Sequence, residues 1–85
     1  SVIGSNVVIE EGAIVKDSVI FNDVVIKKGA EVNYVILDEY VEIGEGAKVG
    51  EKDAGSAAVT VVGRQTVINA NEVIEKGKNI EREVK

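Results

Sequence analysis

The chain has 85 residues and a formal net charge of −5, from 15 acidic and 10 basic side chains. A domain of this size has a small core, so we expect it to gain stability from an elongated repeat stack or from association with other chains. Because cysteine and histidine are both absent, the sequence excludes disulfides, a structural zinc site, a cysteine nucleophile and a histidine general base.

The charge and the apolar pattern exclude two classes of partner. The basic side chains are scattered through an acidic chain, which argues against nucleic-acid binding. No apolar run reaches the length of a membrane span and no signal-peptide pattern is present, so we expect no membrane contact and a cytoplasmic location. The chain begins with "SVIGS", without methionine and inside a patterned segment, and we therefore expect a fragment of a longer protein.

Residues 3–53 repeat with a period of 17, and the segments 3–19, 20–36 and 37–53 align without gaps. Within each segment, branched aliphatic residues recur at steps of six, six and five, which fits neither an α-helix nor a long strand. These steps predict short strands joined by corners, three to a turn, stacked at about 4.8 Å into an all-β, single-stranded parallel β-helix. The predicted large inward columns are Ile3, Ile20 and Leu37; Ile9, Ile26 and Ile43; and Val15, Val32 and Val49.

Smaller residues and glycines complete the repeat. Valine at 7, 24 and 41 and alanine at 13, 30 and 47 follow an aliphatic column by four residues, where a small side chain would also point inward. Gly12, Gly29 and Gly46 share a column and suit corners that need positive φ or a close backbone approach.

Charges of opposite sign occupy matching columns near the corners. Opposite charges on adjacent strands stabilise a sheet modestly and disfavour slipped registers. We interpret these ladders as register control rather than as a binding site. The predicted ladders are Glu11, Lys28 and Glu45; Glu10 over Lys27; and Glu31 over Lys48.

The pattern breaks after Val49 and then resumes. The stretch "GEKDAGSAA" predicts a loop over about residues 50–58. Residues 62–80, with aliphatic residues at steps of six, are predicted to form a last coil. We expect its polar inward positions, Thr66, Glu72 and Lys78, to form a cap exposed to water. The tail 81–85 fits an edge strand or a frayed end. The chain is thus expected to be one β-helix domain, 1–85.

Several apolar residues fall on columns predicted to face outward. They fit either the scattered apolar exposure of an ordinary surface or a docking face for a second domain or subunit. The candidate interface residues are Val8, Val25, Phe21, Tyr34, Val35 and Tyr40.

The sequence offers no catalytic or metal-ligating constellation. Its carboxylate pairs, such as Glu10 with Glu11, fit solvated solenoid faces rather than an acid/base site. The glycines of "GEGAKVG" lack the strand-to-helix context of a phosphate loop and are interpreted as corners. We assign no catalytic residue and no metal site.

The segments "VNYVILDEYVEIGEGAKVG" and "VTVVGRQTVI", with the loop between them, resemble the C-terminal left-handed β-helix domain of bacterial glucose-1-phosphate adenylyltransferase, or ADP-glucose pyrophosphorylase. The resemblance implies left-handed coils, about four to five of them, and a noncatalytic role in oligomerisation and allosteric regulation. It also implies a separate N-terminal catalytic domain that uses ATP and magnesium to make ADP-glucose from glucose 1-phosphate for glycogen synthesis. No cofactor is expected in this chain itself.

The same resemblance suggests an effector site for a phosphorylated sugar such as fructose 1,6-bisphosphate. Family members read "SGI-TVV-GK" after the loop; here Ser56 matches the serine, Ala57 replaces the glycine and Arg64 replaces the basic lysine. The sequence "INAN" at 68–71 departs from the family's "IP-x-G". Arg64 and Ser56 are therefore candidate effector-binding residues, and a plain surface role for Arg64 stays open. Two other functions also stay open: the β-helix of a hexapeptide acyltransferase and a stand-alone structural β-helix.

Overall fold

The computed structural model describes residues 2–50, 59–75 and 77–80, which form thirteen short β-strands. The predicted loop lies largely in residues 51–58 and the tail in residues 81–85, both outside the described residues. The strands are β1 (Val2–Ile3), β2 (Val8–Ile9), β3 (Ile14–Lys16), β4 (Val19–Ile20), β5 (Val25–Ile26), β6 (Glu31–Asn33), β7 (Val35–Leu37), β8 (Glu42–Ile43), β9 (Lys48–Val49), β10 (Thr60–Val62), β11 (Val67–Ile68), β12 (Val73–Ile74) and β13 (Asn79–Ile80).

The strands stack into three parallel sheets, which form the sides of a solenoid. Sheet A has the order β1-β4-β7-β10-β13, sheet B β11-β8-β5-β2 and sheet C β12-β9-β6-β3. Each successive set of three strands is one coil: β1–β3 are coil 1, β4–β6 coil 2, β7–β9 coil 3 and β10–β12 coil 4, and β13 begins the next. The predicted parallel β-helix is confirmed, and its register places Ile3 beside Ile20 and Ile20 beside Leu37.

The core runs along the inside of the coils. The predicted aliphatic columns are buried in coils 2 and 3, and they continue through Val62, Ile68 and Ile74 in coil 4. Coils 2 and 3 each have a hydrogen-bonded coil on both sides, so each of their inward side chains lies between two others. The core is therefore continuous along the stack rather than concentrated at one point.

Two residues that the sequence analysis placed in contact with water are buried. Val35 was expected to face outward, but it is buried, because β7 is three residues long and alternation places Val35 and Leu37 inside and Ile36 outside. Thr66 was expected to be exposed in a polar cap, but it is fully buried. It stands in the column of Val41, and threonine has nearly the shape of valine; Lys78, by contrast, is exposed as expected.

Each corner of the described coils contains one residue in the left-handed region. Five glycines have φ between 72° and 77°, which confirms the prediction for Gly12, Gly29 and Gly46. Seven corners use other residues, including Tyr34 and Tyr40, for which positive φ is an uncommon backbone conformation. The non-glycine residues are Asn6, Asp17, Asp23, Tyr34, Tyr40, Gln65 and Asn71.

The charge ladders are formed only in part. Lys48 pairs with Glu31 at 3.9 Å, as predicted. Lys27, expected beside Glu10, instead pairs diagonally with Glu42 at 3.3 Å. The Glu10 carboxylate instead accepts a hydrogen bond from the backbone N–H of Lys28 at 3.0 Å.

The Glu11, Lys28 and Glu45 column is joined through its backbone. The N–H of Gly29 donates to the Glu11 carbonyl at 3.2 Å, and the N–H of Gly46 donates to the Lys28 carbonyl at 3.0 Å. Among the described residues, no ion pair within 4.0 Å joins these three side chains. Register at this corner therefore rests on peptide hydrogen bonds, with the side-chain charges as a weak addition.

Candidate functional site

The outer surface of sheet A carries an uncharged aliphatic column. Val2 lies beside Val19, Val19 beside Ile36 and Ile36 beside Val61, all pointing away from the core. The equivalent column of sheet B contains Glu42, and that of sheet C contains Glu31 and Lys48. Sheet A is thus the most apolar side of the solenoid. The sequence analysis missed Val19, Ile36 and Val61, although their shared place in the 17-residue repeat could have revealed them.

A second outward column of sheet A shapes this side. It consists of Gly4, Phe21, Asp38 and Gly63, each directly after an inward residue. Phe21 is exposed and lies between Gly4, which has no side chain, and Asp38. An additional Cβ at Gly4 would lie 2.9 Å from the backbone carbonyl carbon of Phe21, so close packing against the next coil favours glycine at this position.

The residues predicted as an interface do not form one patch. Val8 and Val25 lie side by side on the outer surface of sheet B. Phe21 lies on sheet A, Tyr34 at the corner between sheets C and A, and Tyr40 at the corner between sheets A and B. Val35 is in the core. An interface role for the five outward residues stays a prediction, on at least three distinct surfaces.

Arg64 lies at the corner between sheets A and B, where it meets Tyr40 from the coil before. Its guanidinium carbon is 5.8 Å from the centre of the Tyr40 ring, within the range of a cation–π contact. Both residues are exposed. The corner is fixed by backbone bonds: the N–H of Gln65 donates to the Glu39 carbonyl at 3.0 Å, and the N–H of Tyr40 donates to the Asn22 carbonyl at 3.2 Å.

This geometry places an exposed guanidinium near an exposed aromatic ring. An arginine in such a position can offer two parallel N–H groups to a phosphate while its flat face stays on the ring. The carboxylates of Asp38 and Glu39 belong to the same corner, so an anion there would meet negative charge as well as Arg64. Ser56, the other candidate effector residue, lies outside the described residues.

Buried hydroxyl groups line the corner between sheets C and A. Ser18 Oγ donates to the Lys16 carbonyl at 2.8 Å and accepts from the N–H of Val35 at 3.2 Å. Thr60 Oγ1 donates to the Glu75 carbonyl at 3.1 Å. These bonds satisfy polar backbone groups where the chain turns inside the core, so both hydroxyls have a structural role.

Two further kinds of site are absent from the part of the chain that the structure describes. It contains no cluster of three or more Asp, Glu, His or Cys side chains that could hold a metal ion. No helix there is long and apolar enough to cross a membrane.

The repeat, the three parallel sheets and the corners agree with the comparison to protein families. The model of the family described as "GlmU-like, C-terminal hexapeptide" matches residues 1–69. The chain belongs to this family. The GlmU-like hexapeptide family comprises left-handed β-helices that form C-terminal domains of nucleotidyltransferases and acyltransferases, so the coils are left-handed. No curated protein and no solved structure shows a significant match to the chain.

Proposed function

We propose that this chain is a noncatalytic assembly and regulatory domain of a sugar nucleotidyltransferase that makes ADP-glucose from ATP and glucose 1-phosphate for glycogen synthesis. The observation that carries the proposal is the match of residues 1–69 to C-terminal hexapeptide domains. The resemblance of "VILDEYVEIGEGAKVG" and "VTVVG" to the β-helix domain of ADP-glucose pyrophosphorylase supports the choice of this enzyme within the family. ATP and magnesium would bind to an N-terminal catalytic domain in the cytoplasm.

The surface of the solenoid supports an assembly role. The aliphatic column of sheet A has no charge from Val2 to Val61, and Phe21 projects beside it. Apolar surface of this kind is stabilised when another protein surface covers it. The partners we propose are the catalytic domain and further copies of the chain.

The corner at Arg64 supports a regulatory role. A phosphorylated sugar such as fructose 1,6-bisphosphate carries phosphate groups, and the exposed guanidinium of Arg64, 5.8 Å from the centre of the Tyr40 ring, can offer them paired donors. An effector bound at Arg64 would lie at the corner where sheets A and B meet. It could therefore change the contacts that partners make with either sheet.

Calorimetric titration of fructose 1,6-bisphosphate into the chain tests the effector site. We expect binding by the wild type, a loss of at least about tenfold in Arg64→Ala, since one charge-assisted pair is worth at least 1.4 kcal/mol, and a smaller loss in Arg64→Lys. Lys16→Ala removes an exposed cation at a different corner and serves as the control. Equal binding by wild type and Arg64→Ala would exclude Arg64, and no binding by the wild type would contradict a site contained in this chain.

The coding sequence upstream of Ser1 tests the parent enzyme. We expect it to encode a nucleotidyltransferase domain with a glycine-rich nucleotide loop. A stop codon there would contradict the proposal and favour a stand-alone β-helix, and an acyltransferase domain would favour the other branch of the family.

A further inference from the structure

The side of the solenoid formed by sheet A carries three outward columns over coils 2, 3 and 4. β4, β7 and β10 each have a hydrogen-bonded strand on both sides, so this surface belongs to a side of the stack and not to one of its ends. We call it the sheet A face. Its columns are Val19, Ile36 and Val61, all half-buried; Phe21, Asp38 and Gly63; and Asn22, Glu39 and Arg64, which lie at the corner between sheets A and B.

Charges of both signs border the aliphatic column, one coil apart. The register of β10 on β7 places Gly63 beside Asp38 and Arg64 beside Glu39. Among the residues that the structure describes, no ion pair within 4.0 Å includes Asp38, Glu39 or Arg64. Asp38 Oδ1 accepts a hydrogen bond from the N–H of Glu39 at 2.7 Å, and the Arg64 guanidinium lies near the Tyr40 ring. The side chains of Glu39 and Arg64 thus offer opposite charges to a partner.

A second copy of the same face complements this arrangement. When two sheets pack face to face, their outward side chains interdigitate. A two-fold axis that lies between the faces and runs parallel to the strands places each column opposite the same column of the other copy, with the order of the coils reversed. The aliphatic columns then cover each other.

The charges select where that axis crosses the stack. An axis between coils 3 and 4 places Glu39 opposite Arg64 twice, once in each direction. It also places Ile36 opposite Val61, and Asp38 opposite Gly63, which has no side chain. An axis through coil 3 would instead bring Glu39 against Glu39, and like charges in an interface are strongly unfavourable.

We propose that the sheet A face binds a second copy of the chain in an antiparallel dimer, with the two-fold axis between coils 3 and 4. In this dimer, Glu39 of each copy pairs with Arg64 of the partner subunit. Such an interface is self-complementary and closes after two chains. The proposal rests on the assembly role given above, and it names the partner, the surface and the register.

The size of the face predicts a weak dimer. Three coils span roughly 14 Å along the stack, at about 4.8 Å each. A stable interface buries about 800 Å² on each partner, and smaller ones belong to weak or transient complexes. We therefore expect a dissociation constant between about 1 μM and 1 mM, within reach of sedimentation at high protein concentration.

Charge reversal tests the pairing of the columns directly. Glu39→Arg alone places arginine opposite arginine, and Arg64→Glu alone places glutamate opposite glutamate, so each variant should dimerise at least about tenfold more weakly than the wild type. In an equimolar mixture of the two variants, every arginine faces a glutamate. Sedimentation of the mixture should therefore show a dimer of about wild-type affinity. A mixture that stays monomeric while the wild type dimerises would overturn the proposed register.

A matched pair of lysine substitutions tests the aliphatic column. Ile36 and Val67 are both half-buried and outward, but Val67 lies in sheet B, beside Glu42. Ile36→Lys should weaken the dimer at least about tenfold, because the ammonium would lose water on association, and Val67→Lys should leave it unchanged. Circular dichroism checks that both variants fold, and Val61→Lys replaces Ile36→Lys if that variant does not.

The outcomes separate this proposal from the assembly role. A wild-type dimer that is lost in Val67→Lys, or that resists Ile36→Lys and both charge reversals, would place the interface elsewhere; it would overturn the sheet A dimer and leave assembly intact. A wild-type chain that stays monomeric at about 1 mM would also overturn the dimer. Docking on the catalytic domain would then be the assembly role that stays.

Discussion

The stretches "VIEEGAIVKDSVI" and "VIKKGAEVNYVIL", which begin in coil 1 and coil 2, have nearly the same pattern, but their inward side chains have different surroundings. Ile26 lies between Ile9 and Ile43 and is fully buried, whereas Ile9 has a described neighbour on one side and is 41% exposed. The pattern sets the direction of a side chain in a solenoid. Its burial depends on the coils above and below it.

The largest expected difference follows from this pair. Ile26→Ala should lower the free energy of unfolding by about 2–5 kcal/mol, because it opens a cavity between two packed coils. Ile9→Ala should cost roughly 1–2 kcal/mol, since much of its side chain is already in contact with water. Urea unfolding at protein concentrations where the chain is monomeric measures both. Equal losses would mean that the two side chains are equally covered in solution.

Two glycines extend the comparison to the backbone. A Cβ at Gly44 would lie 2.5 Å from the N of Ala70 and 2.7 Å from the carbonyl O of Ile68, whereas a Cβ at Gly29 meets nothing within 4 Å. Gly44→Ala should therefore cost about 3 kcal/mol or more, because coil 4 would have to move. Gly29→Ala should cost about 1–2 kcal/mol, from its positive φ alone. A smaller loss for Gly44→Ala than for Gly29→Ala, in thermal or urea unfolding, would contradict the close approach of coils 3 and 4.

Corners at the two ends of the stack should respond differently to glycine. Gln65 has φ 61° and is exposed, so Gln65→Gly removes backbone strain with little loss of packing. We expect a gain of about 0.5–1 kcal/mol, after the entropy of glycine in the unfolded chain is subtracted. Asn6→Gly is the control in the same column, because asparagine already tolerates this conformation, and its effect should be near zero. Differential scanning calorimetry measures the melting temperatures of both variants. A lower melting temperature for Gln65→Gly than for the wild type would contradict backbone strain at Gln65.

The smallest expected effect concerns the ion pairs between coils. Lys27 and Glu42 are each 42% exposed, and their charged groups are 3.3 Å apart. A double-mutant cycle to Met and Gln should give a coupling of about 0.2–1 kcal/mol that decreases with added salt. The Lys48 and Glu31 pair, at 3.9 Å, should give a smaller coupling. A larger coupling between Lys48 and Glu31 would contradict the closer approach of Lys27 and Glu42.

The repeat in the sequence was sufficient to predict the parallel β-helix, the aliphatic columns and the glycine corners. It did not reveal the positive φ of Tyr34, Tyr40 and Gln65, because glycine, and to a lesser extent Asn and Asp, favour the left-handed conformation, whereas Tyr and Gln do not. It also assigned Val35 to the wrong side, because the alternation of β7 extends one residue back from Ile36, and Val35 shares the buried column of Ser18. Of the candidate site, Arg64 was found from the resemblance, but its contact with Tyr40 joins two coils across the loop and could not be read from spacing.

The sequence by itself determined the period, the inward columns and the chemistry that the chain lacks, because these depend on residue identity and local alternation. The tertiary structure decided which apolar residues are covered, which charges pair and which outward column is free of charge. Those properties depend on neighbours 17 or 25 residues away, such as Val19 beside Ile36 and Ile36 beside Val61. The difference between a buried Ile26 and an exposed Ile9 arises from that stacking, since both residues have the same place in the repeat.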